Sequence, residues 1–160
     1  MSLFDRRTLF AMICALPLAA CNFQPVYGPG GSGGIIRDQI RVAEPETRLD
    51  FELVARLEDR IGTGSRYALD YAIDRTTRNL AIDEDEVINR INLVGTLSFT
   101  VRDPATGRTL QTGDVSTFTS YATTASPVAT ESARRDAEDR LAVALADQLV
   151  TRLIAGAQSW

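Results

Sequence analysis

The 160-residue chain predicts an α+β domain of order β-α-β-β-β-α, with two helices packed on one face of a four-stranded, mostly antiparallel sheet. Three observations carry this reading. Two stretches, near residues 47–61 and 127–155, place apolar residues four apart, the spacing of a helix that buries one stripe. Segments at Tyr67–Asp74 and Arg90–Val101, with a partner from Thr109 to about Tyr121, instead alternate apolar and polar residues with period two, as half-buried strands do. Asp103-Pro104-Ala105-Thr106-Gly107-Arg108 interrupts them with a turn that joins antiparallel neighbours. Strands followed by a terminal helix point to layered α+β packing.

Ile35, Ile36, Ile40 and Val42 predict a first strand, which Pro45 ends by lacking a ladder donor. The first helix follows, with Thr47 as N-cap, Asp50 three residues on, a stripe of Leu49, Leu53, Leu57 and Ile61 with Val54 beside it, and Gly62 as C-cap. Tyr67, Leu69, Tyr71 and Ile73 alternate with Ala68, Asp70, Ala72 and Asp74 to give the second strand. In the third, Leu93, Gly95, Leu97, Phe99 and Val101 share one face, and Arg90, Asn92, Val94, Thr96, Ser98 and Thr100 the other. The fourth runs from Thr109 to about Tyr121, with a bulge expected at Gly113. Ser126-Pro127 then suits an N-cap and first helical position. The closing helix carries Ala133, Ala137, Leu141, Leu145, Leu149 and Leu153 four apart, with Ala144, Gln148 and Arg152 flanking.

The N-terminus reads as an export signal of the lipoprotein kind. Arg6 and Arg7 precede an apolar run from Leu9 to Leu18, too short to span a membrane, and Leu18-Ala19-Ala20-Cys21 places a cysteine at the cleavage point. The expected organisation is a cleaved signal over 1–20, a lipidated Cys21 with a Gly/Pro tether over 21–34, and one α+β domain over 35–160. N-acyl and S-diacylglycerol chains on Cys21 would be the only prosthetic group, and several acyl chains suffice for durable anchoring. Asn22, in place of the Asp that retains lipoproteins at the inner membrane, predicts an outer-membrane address facing the periplasm. Asp5-Arg6-Arg7-Thr8-Leu9-Phe10 leaves twin-arginine and Sec export both open.

Composition removes several function classes. There is no His in the chain, so the commonest general base and metal ligand is missing. Cys14 falls in the signal and Cys21 carries the lipid, which leaves no thiol nucleophile or disulfide in the mature domain. Neither catalytic nor metal-ligating residues are therefore expected. Loss of Asp5, Arg6 and Arg7 leaves 15 basic and 20 acidic residues, a net charge of −5 that argues against nucleic acid. All 17 basic residues of the full chain are Arg, which fits a GC-rich genome as well as a use of the guanidinium fork. The run Asp83-Glu84-Asp85-Glu86 lacks the glycine and spacing of a calcium loop and reads as a solvated turn.

Cys21-Asn22-Phe23-Gln24-Pro25-Val26-Tyr27-Gly28 resembles the start of mature lipopolysaccharide-assembly lipoproteins, the LptE family, above all its alphaproteobacterial members, with Val26 where Leu is usual. Arg90 before a long strand, Asp103 with Gly107 in a turn, Ser120-Tyr121, and Ala137, Leu145 and Ala146 in the closing helix extend the likeness over the chain. The resemblance implies a non-enzymatic protein that sits in the lumen of the outer-membrane β-barrel LptD and assists lipopolysaccharide insertion into the outer leaflet. A sheet face rich in Thr, Ser, Asn and Arg suits a polar barrel interior.

Arg75, Arg78 and Arg90, around the second and third strands, are the candidates for lipopolysaccharide phosphates, since a guanidinium grips phosphate with two parallel donors. Ion pairs with Asp74, Asp83 or Glu84 are the competing expectation. Two other classes stay open: an auxiliary lipoprotein of an ABC-type lipid or solute transport system, and an enzyme working with two carboxylates among Asp70, Asp74, Asp103 and Asp114, although no spacing singles out a pair.

Overall fold

The structure is a computed structural model that describes residue 28 and residues 31–82 and 88–160; the export signal, Cys21 and the acidic run Asp83–Glu86 lie outside the described residues. In chain order it contains helix α1 (Ser32–Ile36), strand β1 (Ile40–Val42), helix α2 (Arg48–Ile61), strands β2 (Tyr67–Ile82), β3 (Ile88–Arg102) and β4 (Thr109–Ala122), helix α3 (Pro127–Gly156) and a closing 3-10 turn (Ala157–Ser159). The sheet order is β1-β2-β3-β4. β1 runs parallel to β2, and the other pairs are antiparallel. The parallel pair needs a crossover, and α2 supplies it.

The local signals for α2 and α3 operate as their sequence predicts. The Thr47 Oγ1 accepts from the Asp50 N–H at 3.3 Å while the Asp50 carboxylate accepts from the Thr47 N–H at 2.8 Å, a reciprocal capping box. Gly62 closes α2 at φ 72°, a backbone conformation that side chains with a Cβ rarely adopt. Ser126 caps α3 through the Ala129 N–H, and Pro127 holds the first helical position. Leu49, Leu53, Leu57 and Ile61 of α2 meet Leu141, Leu145, Leu149 and Leu153 of α3, and Leu69, Leu93, Leu97, Phe99, Val101 and Val115 of the sheet, in one core.

The two long helices run parallel and in register. Arg48 pairs with Asp139 at 2.8 Å and Arg56 with Asp147 at 3.0 Å, so a step of two turns along one helix matches a step of two turns along the other. Arg60 adds a second bond to Asp147 at 2.8 Å. Each pair is partly exposed and contributes little by itself, but together they pin the relative height of the helices. At the far end the Trp160 ring packs edge-on to Tyr67 at 5.2 Å, its indole N–H donates to Gln111 Oε1, and Gln111 in turn donates to the Arg152 carbonyl.

Four sequence expectations are corrected. Ile35 and Ile36 belong to α1 rather than to a first strand, because Asp38 takes φ 55° and donates its N–H to the Ile61 carbonyl at 2.8 Å, turning the chain before Ile40. β2 continues to Ile82, eight residues past Asp74, because pairing with β3 sustains it where no apolar alternation remains. The bulge expected at Gly113 lies instead where the register steps from Val101↔Gln111 to Arg102↔Thr109. Gly113 pairs regularly with Phe99 and leaves room for its ring, 3.1 Å from where a Cβ would stand. On α3 the buried flank is Ala142, Ala146 and Val150, while Gln148 and Arg152 face outward; small residues on that side admit α2.

At Gly95 the helix layer touches the sheet directly: a Cβ there would stand 3.0 Å from Leu141 Cδ2 and 3.1 Å from Leu145 Cδ1. Gly95→Val is expected to destabilise the fold by about 1–3 kcal/mol through overpacking, even though Val is the better strand former. Chemical denaturation checks this, and a variant as stable as the parent would place α3 farther from β3 than described.

Candidate functional site

Period two divides the sheet into a covered and an open face. Odd-numbered residues of β2, β3 and the upper part of β4 point toward the helices, and even-numbered ones point away. The open face carries Asp70, Asp74, Thr76 and Arg78 on β2; Asn92, Thr96, Ser98 and Thr100 on β3; and Thr112, Asp114, Ser116 and Phe118 on β4. Short polar bonds cross it. Thr96 donates to Ser116 Oγ at 3.2 Å, Ser116 donates to the Gly95 carbonyl at 3.1 Å, and Arg102 lies 3.6 Å from Asp70. Phe118, 65% exposed and paired in register with Val94, is the one exposed large apolar side chain on this face among the described residues. The face is long as well as polar, since 16 strand residues at about 3.3 Å each span roughly 50 Å.

The three candidate arginines divide between the faces. Arg78 and Arg90 lie on the open face, exposed, at the end of the sheet nearest the β2–β3 connection, with Asn92 opposite Arg78 and two residues from Arg90. Neither has an ion-pair partner among the described residues. The Asn92 Oδ1 between them is buried and accepts no hydrogen bond from a described residue. Arg75 points the other way, where its guanidinium meets Glu138 of α3 at 3.3 Å at the rim of a cavity of about 240 Å³ floored by Leu93 and Tyr121. Of the partners expected for these arginines, Asp74 holds none of them and Asp83 and Glu84 lie outside the described residues.

Glu138 and its neighbours form a chain of charge along the first turns of α3. Arg134 reaches Glu138 at 2.6 Å and Glu131 at 2.8 Å, and Arg135 reaches Glu131 at 2.8 Å. The bonds from Arg134 and then Arg135 hold the Glu131 carboxyl down at about 2. The i,i+3 and i,i+4 spacing of these charges is a sequence signal. The Arg75–Glu138 contact is not, because it joins residues 63 apart.

The carboxylates considered for catalysis are dispersed. Asp70 and Asp114 sit on different strands of the open face, and Asp103 is tied into its own turn, accepting from the Ala105 N–H at 2.9 Å and the Thr106 hydroxyl at 3.0 Å, bonds that lower its pKa. No group of three or more metal-ligating side chains occurs among the described residues. No described helix is long and apolar enough to cross a membrane.

Comparison with known proteins gives one family. A family model described as LptE, lipopolysaccharide-assembly, matches residues 38–153. No curated protein matches. Among solved structures, a lipoprotein from Caulobacter crescentus superposes with a TM-score of 0.65 at 20% identity, covering 81% of this chain and 100% of its own. Rare lipoprotein B from Shewanella oneidensis gives 0.56 at 13% identity over 75% and 94% of the two chains. Lipoprotein B from Nitrosomonas europaea gives 0.57 at 12% over 74% and 83%. At such identities these structures share the fold.

The charge chain sets an acid limit. Glu131, ordinarily near 4.5, falls to about 2 in the folded state, so its contribution is complete above about 4.5 and is lost as pH drops from there toward 2. Glu131→Gln is expected to lose less stability than the parent over that interval. Melting curves at pH 5 and pH 2.5 measure it; parallel acid losses in both proteins would show that the three guanidinium bonds do not stabilise the fold.

Proposed function

The chain belongs to the LptE lipopolysaccharide-assembly family, and from that premise we propose that it is an outer-membrane lipoprotein, anchored through Cys21, that fills the lumen of the barrel LptD and assists lipopolysaccharide insertion into the outer leaflet. The observation that carries the reading is the open face. A bare sheet face in a small domain ordinarily meets water or a partner, and this one is a polar ribbon roughly 50 Å long, longer than the apolar band of about 25 Å on an outer-membrane barrel. Thr, Ser, Asn and Arg side chains suit the water-lined inner wall of a wide barrel, whose lumen is otherwise open. The fold work is done on the other face, so this one is free to be read by a partner. In this reading the protein works by binding, without catalysis.

Depletion of the protein is expected to lower the level of assembled barrel and of surface lipopolysaccharide, and purification of the chain from detergent-solubilised outer membrane is expected to bring the barrel with it in a one-to-one complex. The intact mass of that chain should begin at residue 21 and include the acyl groups. Normal barrel and surface lipopolysaccharide after depletion would overturn the plug role and favour the transport-auxiliary class.

Arg78 and Arg90 are the proposed phosphate contacts on the open face, with Arg75 secondary because Glu138 already holds it. Charge-assisted bonds are worth about 1.5–3 kcal/mol when desolvated, so Arg78→Ala with Arg90→Ala is expected to weaken lipopolysaccharide binding about tenfold or more. Arg75→Ala should weaken it less, and the Arg134→Ala, Arg135→Ala control should not change it. Titration of lipopolysaccharide against each variant, beside its melting temperature, decides the matter; unchanged affinity in the double variant would remove both residues from phosphate binding.

A further inference from the structure

One edge of the sheet is left open by the early end of β1. The Tyr67 N–H donates to the Gln39 carbonyl at 2.9 Å, and the Ala43 N–H donates to the Leu69 carbonyl at 2.9 Å. Odd-numbered residues of β2 therefore aim their backbone groups at β1 and even-numbered ones at β3, since a residue in an antiparallel pair gives both groups to one side. β1 covers β2 only over Tyr67–Leu69. Beyond Pro45 the chain leaves that line and enters α2. Tyr71, Ile73, Arg75 and Thr77 keep the same phase up to the irregularity near Asn79, and their N–H and C=O groups face outward with no described strand beside them.

The space where β1 would continue is shaped. It is a cavity of about 340 Å³ walled by the start of α2 and lined by Glu44, Glu46, Asp50, Tyr71, Ile73 and Arg75. The Tyr71 hydroxyl in its wall is buried and has no hydrogen-bond partner among the described residues. Burial, then Asp50 and Glu46, pushes that phenol up to about 12. Strand edges are usually blunted by charge, proline or cover. On the opposite edge Arg140 of α3 reaches over to donate to the Ser120 carbonyl at 3.3 Å. On β2 the guanidinium of Arg75 is drawn to Glu138 and leaves its own edge uncovered.

We propose that the β2 edge from Tyr71 to Thr77 receives an extended segment of the barrel partner as a fifth strand, on the line of β1, with a Lys or Arg side chain of that segment turned into the cavity at Tyr71. Polypeptide is the occupant that fits, because an alternating row of donors and acceptors matches another backbone and no lipid headgroup. The side chain is cationic because Glu44, Glu46 and Asp50, the last already capping α2, outnumber the one cation lining the place it enters, Arg75, which Glu138 holds. The proposal rests on the plug reading, and names the surface by which the two proteins are joined.

Amide hydrogen exchange at single-residue resolution tests it on the full lipidated chain, alone and in its barrel complex in detergent. In the free chain the amides of Tyr71, Ile73, Arg75 and Thr77 should exchange fast, and in the complex at least tenfold more slowly, while Ala72, Asp74 and Thr76 stay protected in both. Thr77→Pro removes a donor that β3 does not use, so it should weaken the complex about tenfold with little change in melting temperature; Glu46→Gln should weaken it as well. A complex in which the odd amides exchange as in the free chain overturns the edge proposal alone. Protection already present in the free chain overturns it in favour of a segment of the same chain, and absence of any complex overturns both this proposal and the plug reading.

Discussion

The leucine stripe of α3 is the contact on which the other elements depend. Ala137, Leu141, Leu145, Leu149 and Leu153 are fully buried, and each leucine contributes about 1.5–3 kcal/mol by leaving water. The sheet packs against this stripe at Gly95, where a Cβ would press on Leu141 and Leu145, and α2 packs against its small-residue flank at Ala142, Ala146 and Val150. α2 meets α3 more than it meets the strands, so even the crossover that makes β1 and β2 parallel is seated through the terminal helix. The last residues of the chain complete the arrangement, with Trp160 locked against Tyr67 and Gln111.

A consequence is a helix layer of unequal reach. α3 is 30 residues long and α2 only 14, and their matched ion pairs place Arg48, the first residue of α2, beside Asp139 of α3. Above that level α3 lies alone over the sheet. Arg75 and Thr77 consequently point to the helix side and are still exposed, and the cavities on either side of Arg75 open there. The packed core thus lies in the lower half, and the upper half, the open face and the β2 edge are left uncovered by the described residues.

Charge follows the same division. The arginines of α2 and the first turns of α3 are engaged by Asp139, Asp147, Glu131 and Glu138, whereas Arg78 and Arg90 on the open face are not engaged among the described residues. Arg48, Arg56 and Arg60 tie α2 to α3, and Arg134 and Arg135 brace α3 along its own length; Arg78 and Arg90 stand beside an Asn92 oxygen that has no partner among the described residues. On β2 itself, period two turns Arg75 toward Glu138 and Arg78 to the open face.

Much of this was legible in the chain. Caps at Thr47, Gly62 and Ser126, the four-residue stripes of both long helices and the odd-face alternation of β3 are local signals, each decided by hydrogen bonds or periodicity within a few residues, and all of them hold. The polar open face was legible for the same reason. The second half of β2 was not, because a strand without a buried face has no apolar period and exists only by pairing with β3. Nor was the α1 turn, which depends on a bond from Asp38 to Ile61, nor the opposite facing of Arg75 from Arg78 as it bears on Glu138, which lies 63 residues away. Pro45 marks the end of β1 locally, but the open edge of β2 belongs to tertiary structure: the chain after β1 leaves that edge because α2 packs on α3, a long-range contact that no short stretch of sequence records.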